Sequence, residues 1–406
     1  MWKSMKPQEQ KDTVNNWLAA IMLNFSFING IIGINGASLI TTAVIIFLCL
    51  LSISRKEFVI YPSAVVIVVF ILICFLISFC RVKDISSTFI YLGYFLAFGI
   101  ISLFVGLQNV SIDKVVMHMS RIGLVGILIW ISRKGYLLHG FSSDDSPHLM
   151  GLSYAILPLL FSSVIGLALD VRTRLISLIN IFLVIYILLK VAPRGIWLAV
   201  AFFLATYGLY ILSRTKDARY RFVIKVLIIS VVLLLTIFIV SNFTEVILGV
   251  SDFLSSRFGL KVYALDKYAR YLKKGNLLNG RGEIWGNAIQ YIQENPVFGK
   301  GIGYFEYQEN GVYAHNILLQ LMCEGGIFVL VPIVLVVLRS LGIVMGVSDK
   351  NNRNEYLFFT LTFSCGLIIL FYSSVYWIYI PFWFYLGYFL KTISVDMKNY
   401  GMRITI

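Results

Sequence analysis

The run Phe58-Val-Ile-Tyr-Pro-Ser-Ala-Val-Val-Ile-Val-Val-Phe-Ile-Leu-Ile-Cys-Phe-Leu-Ile-Ser-Phe79 contains no charged residue. A helix of about 20 mostly apolar residues crosses the hydrocarbon of a bilayer, where backbone polar groups find no water and must satisfy one another. The run reads as a membrane span. Working outward by the same rule gives about twelve predicted spans. They fall near 14–34, 37–54, 58–79, 85–107, 112–132, 150–169, 174–192, 195–213, 222–241, 320–346, 357–377 and 380–394.

Composition agrees. The chain has 406 residues, of which 59% are hydrophobic and 13% charged, with a mean hydropathy of +0.85. A soluble domain carries about 25% charged residues, so this chain has too little polar surface for a water-facing globule. A soluble enzyme, a disordered chain, a coiled coil and a nucleic-acid-binding domain are excluded as whole-chain readings. The net charge of +14 is then read by side of the membrane, and no nucleic-acid partner is expected. Cys49, Cys74, Cys80, Cys323 and Cys365 lie in or beside apolar runs. They show neither a disulfide framework nor metal-ligand spacing. No metal and no cofactor is expected. Residues 1–13 are polar and no small-residue cleavage site follows them, so no cleavable signal peptide is expected.

Lys and Arg concentrate in alternate short loops. Arg55, Lys56, Arg172, Arg174, Arg214, Lys216, Arg219 and Arg221 lie on the side of the basic N-terminus. The positive-inside rule makes that side, and both termini, cytoplasmic. Residues 242–314 contain no spanning run and fall outside. The expected organisation is a bundle over 1–241, a large outer loop over 242–314 and further spans over 315–406. Long loops between tight helices are usually functional.

Residues 250–274 of that loop read as a basic amphipathic helix, able to lie among lipid headgroups or to pack on the bundle. Arg281 to Phe305 carries the denser pattern. Residues 282–294 read as a short helix with an apolar stripe of Ile284, Trp285, Ala288, Ile289 and Ile292, ended by Pro296. Gly299, Gly301 and Gly303 let the backbone turn and approach another group closely. His315 and Asn316 open the next helix, where Asn316, Gln320 and Glu324 share one face. Arg281 and His315 are candidates for binding an oxyanion, since a guanidinium matches phosphate and imidazole can donate or move a proton. A salt bridge for Arg281 and a helix-start hydrogen bond for His315 fit the spacing equally well.

The series Arg281, Trp285, Asn295-Pro296, Gly299-Lys-Gly301, His315-Asn316 and Glu324-Gly325 resembles the bacterial O-antigen polymerase and O-antigen ligase family. Ala192-Pro193-Arg194-Gly195 resembles that family's Ser-Arg-Gly element with proline in place of serine, and Ser146-Pro147-His148 is a weaker echo. The resemblance implies an all-α integral membrane protein with GT-C-type architecture in the bacterial inner membrane. It implies an outer-face glycosyltransferase whose donor and acceptor are glycans on undecaprenyl diphosphate, with membrane lipids around it and a chain-length-determining protein as a further partner. Arg281, His315 and Arg194 become the expected catalytic residues, the arginines clamping the leaving diphosphate. Lys190 and Arg121 are further candidates because charge near an apolar span is costly, and Arg121, three residues from His118, should face the bundle interior. Trp285, Asn316 and Glu306 are expected to contact substrate, with Glu306 and Glu309 both open as the acceptor's base. The form Ala314-His315-Asn316-Ile317-Leu318-Leu319-Gln320 resembles the polymerases more than the ligases. A transporter or flippase is disfavoured, because no internal repeat is visible and the spans carry almost no acidic residues.

Overall fold

A computed structural model describes residues 12–32, 37–134, 146–169, 173–191, 194–213, 249, 253–257, 259, 281–345 and 353–399. The described chain is helical, in the order α1 (Val14–Leu23), α2 (Phe25–Ile32), α3 (Ala37–Ser54), α4 (Pro62–Arg81), α5 (Ser86–Leu107), α6 (Ile112–Lys134), α7 (Ser146–Ala155), α8 (Leu157–Leu169), α9 (Arg174–Val191), α10 (Arg194–Ser213), α11 (Arg281–Glu294), α12 (Tyr304–Gln308), α13 (Ile317–Met345), α14 (Arg353–Gly366) and α15 (Ile380–Asn399). Among the described residues six segments are long and apolar enough to cross a membrane: Pro62–Arg81, Ser86–Leu107, Ile112–Ser132, Gly151–Leu169, Ile317–Met345 and Arg353–Phe371. Shorter apolar helices occupy Val14–Leu23, Ile40–Ser54, Arg174–Leu189 and Gly195–Tyr210. The predicted span at 222–241 and most of the predicted basic helix at 250–274 lie outside the described residues.

Burial follows the expectation for a lipid solvent. Val66, Phe70 and Leu76 of α4 are exposed while Ala64 and Phe75 on the same helix are buried, so one face of an apolar helix is left to hydrocarbon. Inside, helices meet at small residues. A Cβ on Gly106 would lie 2.3 Å from the Phe384 carbonyl, and one on Gly387 would lie 2.1 Å from that of Leu103. Glycine at both positions lets α5 and α15 touch backbone to backbone, where packing and not hydrophobicity drives association.

Two of the predicted spans recur as candidate spans but are not unbroken helices. The run at 320–346 is apolar throughout, yet α13 breaks at Gly326, whose φ of 62° and ψ of −154° are non-helical. The run at 357–377 is likewise not one helix: α14 ends at Gly366, a 3₁₀ turn covers Ile368–Phe371, and residues 372–379 are irregular. Hydropathy cannot see either break, because the composition stays apolar across both. Irregular backbone at membrane depth is tolerated only where it is buried in protein or lines a cavity; Ser373, Val375, Tyr376, Trp377 and Tyr379 are buried.

The break in α13 is closed by the glycine turn. Lys300 N–H donates to the Cys323 carbonyl (2.7 Å), Gly301 N–H to the Glu324 carbonyl (2.9 Å), and Ile327 N–H to the Pro296 carbonyl (3.0 Å). These bonds supply partners for the carbonyls and the N–H that a broken helix leaves orphaned. The turn needs its glycines: Gly299, Gly301 and Gly303 have φ of 64°, 107° and 83°, as the spacing predicted. Its far side docks on the bundle, with Ile302 N–H donating to Ser78 Oγ (2.8 Å), Thr88 Oγ1 to the Ile302 carbonyl (2.7 Å), and Arg81 reaching the Phe298 and Gly299 carbonyls.

Gly326→Ala tests this junction. A Cβ there would lie 2.3 Å from the Val297 carbonyl oxygen, and the backbone region is one that essentially only glycine enters. The variant should lose at least about 1–3 kcal/mol of stability, seen as a lower melting temperature of the detergent-solubilised protein by fluorescence-detected size exclusion. Gly342→Ala, at a position with open space around it, should melt as the native protein does.

Candidate functional site

Helix α11 forms as predicted, from Arg281 to Glu294, and stops before Pro296. Its buried stripe is narrower than expected. Ala288 is fully buried and packs with Ile284 and Ile292, but Ile289 is 48% exposed and lies off the stripe. Trp285 faces the segment before α13 and donates its indole N–H to the Ala314 carbonyl (3.1 Å). Asn287 and Tyr291 hold the Glu309 carboxylate at 3.0 and 2.8 Å, so Glu309 is already engaged.

His315 is set in place from several sides. Its backbone lies in the left-handed region, φ 54°, which costs a non-glycine residue roughly 1–2 kcal/mol. Ala314 before it accepts from Trp285 and donates its N–H to Gln320 Oε1 (3.1 Å). Asn316 after it caps α13, its Oδ1 accepting from the N–H groups of Leu318 and Leu319, while its Nδ2 donates to the Phe371 carbonyl (3.1 Å). The His315 ring packs on Tyr313, centroids 3.9 Å apart, and its Nδ1 is buried without a hydrogen-bond partner. Burial first, and then the nearby positive charge of Arg281, hold the imidazole well below its ordinary value, at about 4. At neutral pH it is uncharged.

Arg281 also acts electrostatically on Tyr154, whose hydroxyl hydrogen-bonds Ser373. Ser374 N–H donates to the Tyr313 hydroxyl (3.3 Å). The start of α10 meets the same group: a Cβ on Gly195 would lie 2.4 Å from the Tyr372 ring and 3.3 Å from the Tyr154 hydroxyl. Three segments distant in sequence thus converge here: α7 with Tyr154, the Arg281–His315 stretch, and the irregular segment with Tyr372 and Ser373. The backbone that begins at Arg194 abuts them. The side chains of Arg194 and Lys190 lie outside the described residues.

Other expectations are redirected. Arg121 was expected to face the bundle interior; it is exposed. Its described neighbour is His118, which pairs with Asp12 at 3.0 Å and stacks on Trp17. Arg121 lies within the candidate span Ile112–Ser132, and from its exposed face a long cation can extend along the helix toward an interface. Glu306 was expected to contact substrate. Its carboxylate is instead 3% exposed and accepts from the Tyr91 hydroxyl (2.7 Å) and Gln320 Nε2 (2.9 Å). Burial pushes its carboxyl above the usual range. Trp285 and Asn316, also expected on substrate, spend their donors on backbone carbonyls, Trp285 on Ala314 beside His315 and Asn316 on the distant Phe371. Tyr154, Tyr313, Tyr372 and Ser373 were missed. With 23 tyrosines in the chain, no spacing singles these out; only Tyr313, two residues before His315, carried a local hint. Among the described residues no group of three or more His, Cys, Asp or Glu forms a metal site.

The geometry can therefore present a permanent cation, an uncharged imidazole and phenolic hydroxyls to one place. That set suits an anionic group that also needs a proton moved near it. Residues 179–334 match the family model described as O-Antigen ligase. The matched segment contains Arg194, Arg281, Trp285, His315, Asn316 and Glu324, so the resemblance read from the motifs holds for that segment. No curated protein matches the chain.

A pH titration of His315 checks the electrostatics. Its ring, followed by nitrogen NMR of labelled histidine in lipid, should titrate near 4, against an ordinary value of 6.5. In Arg281→Ala the midpoint should rise but stay below 6.5, because burial is the larger cause. The sign for stability follows: between 6.5 and about 4 the unfolded chain binds a proton that the folded one excludes, so this imidazole destabilises the fold as pH falls through that window.

Proposed function

We propose that this chain, which carries an O-antigen ligase family domain over residues 179–334, is a membrane glycosyltransferase that polymerises lipid-diphosphate-linked oligosaccharide repeats of O-antigen or capsule. The observation that carries the reading is Arg281 acting on a His315 that burial keeps neutral, beside the helix start that carries Arg194. In this reading the site opens at the periplasmic face, both termini are cytoplasmic, and the leaving group is undecaprenyl diphosphate.

A hydroxyl of the acceptor glycan attacks the anomeric carbon of the donor. The bond from that carbon to the diphosphate oxygen breaks with inversion, and its electron pair goes to the diphosphate. Charge thus grows on the leaving oxygens, where pre-positioned cationic donors stabilise the transition state. Arg281 and Arg194 supply those donors, with Lys190 near the same helix start. The hydroxyl proton goes to His315. Near Arg281 alone the imidazole is a weak base; a bound diphosphate offsets the arginine's charge and raises its basicity toward neutral pH. The Tyr372 ring and the Tyr154 hydroxyl pack against Gly195, next to Arg194. A chain-length-determining protein remains a partner proposed from the family resemblance.

The second reading is a ligase, in which the finished glycan passes to lipid A core; the family match is common to both readings. The ligase shares the diphosphate site and differs in acceptor. The sequence form around His315 favours the polymerase.

Arg281→Ala should lower turnover by about 10²–10³, the typical effect of removing one charge-stabilising donor, with the protein still at native level in the membrane. Arg281→Lys should restore little, because a point charge does not reproduce a planar fork. Undiminished polymer length in Arg281→Ala would sink the clamp. An acceptor assay separates the two enzymes: purified protein in lipid, given the lipid-linked repeat alone, is expected to make a length ladder. Product formed only after lipid A core is added would make it a ligase, and no transfer with the cognate glycan would return the flippase reading.

A further inference from the structure

Beneath His315 lies a buried polar chain that the reaction above does not use. Gln320 Nε2 donates to Glu306 Oε1 (2.9 Å) and to Glu324 Oε1 (2.6 Å). Glu324 Oε2 accepts from the Tyr376 hydroxyl and from Trp377 Nε1 (3.0 Å). Glu306 Oε1 also accepts from Tyr91. Glu306, Gln320 and Glu324 are 3%, 3% and 4% exposed. Buried polar groups are expensive unless paired, and a cluster of two carboxyls inside an apolar bundle is more than the fold needs to close.

The chemistry of the cluster gives it a direction. An amide has a donor end and an acceptor end, and at ordinary scrutiny the two look alike. Here two carboxyl oxygens converge on one amide atom: an NH₂ group serves both with its two hydrogens, and the Ala314 N–H needs the oxygen end. The Gln320 oxygen must then face away from them, and it accepts the Ala314 N–H. Ala314 is the residue that precedes His315, and His315 is held in a backbone region that non-glycine residues avoid. Strain of that kind persists only where the surroundings over-determine it.

We propose that Gln320 is a positioning residue for His315: the buried Glu306–Glu324 pair orients its amide, and the amide fixes Ala314 so that the imidazole faces Arg281. The effect on transfer rests on the reading of His315 given above; the effect on the imidazole's placement does not. Glu324 also carries the carbonyl that receives Gly301 N–H, so the glycine turn and the His315 segment are tied to one residue. Glu306 acts from the far side of the amide and touches neither Arg281 nor the reacting atoms in this scheme.

The test uses the full chain in lipid. Reaction of His315 with diethyl pyrocarbonate, read by mass spectrometry, should change severalfold in Gln320→Leu. The same variant should lose roughly tenfold to a hundredfold in kcat, the scale of a misplacement of about 1 Å, with KM for the lipid-linked donor little changed. Glu324→Leu, which removes the acceptor for the amide, should behave like Gln320→Leu. In a His315→Ala background Gln320→Leu should cost nothing further. Should Gln320→Leu not accumulate as folded protein, Gln320→Met, of similar volume, is read the same way. A native modification rate in either variant would overturn the proposal, as would an equal loss of kcat in the His315→Ala background. If His315→Ala itself keeps full turnover, the proton-transfer reading fails, while the modification rate still decides the positioning of His315.

Discussion

Three backbone hydrogen bonds across the gap in α13 hold the rest of the arrangement in register. A helix broken inside a bilayer leaves carbonyls and N–H groups that lipid cannot satisfy. Lys300, Gly301 and Pro296 provide the partners for Cys323, Glu324 and Ile327. The gap and the turn therefore exist for each other. Neither would be stable alone, since the turn itself has three consecutive odd-numbered glycines at positive φ and little regular structure of its own.

From that junction the site follows by short steps. The break leaves a half-helix, from Ile317 to the gap, whose start carries His315 and Asn316 and whose end carries Glu324. Asn316 reaches across to Phe371, and Glu324 to Tyr376 and Trp377. The irregular segment after α14 is thus held at both ends of the half-helix. Local turn bonds, from Tyr372 and Ser373 to Ile369 and from Ile378 to Val375, stand where a continuous helical ladder would run, and bonds to a buried carboxylate and a capping amide fix the segment from outside. Tyr372 and Ser373 lie between these anchors, against Gly195 and Tyr154. Rigid support of this sort holds the imidazole within the electrostatic reach of Arg281.

The electrostatic character of the site comes from what surrounds His315 and not from the histidine itself. Burial and a neighbouring guanidinium both disfavour the protonated ring, so a residue that in water would titrate near neutrality is held uncharged. An anion arriving at Arg281 reverses the second of these influences. The site is then one whose basicity depends on what it has bound, a property that suits chemistry on a charged leaving group.

Much of this was legible in the sequence. The apolar runs declared a membrane protein, since 13% charged residues cannot cover a soluble surface. Pro296 marked the end of α11 and the glycines marked a turn, because these residues act on their own backbone. The spacing of Asn316, Gln320 and Glu324 put them on one face, because a helix fixes that locally. What the sequence could not decide was anything that depends on which distant segments meet. The breaks at Gly326 and after Gly366 occur inside runs of uniform hydropathy and make sense only with their partners in view. Arg121 turned outward and Glu306 inward for the same reason: a charged side chain's direction is set by the neighbours that can pay its desolvation, and those neighbours, Tyr91 and Gln320 for Glu306, come from elsewhere in the chain. Local chemistry determined the elements and the class; long-range pairing of buried polar groups decided which residues share the site.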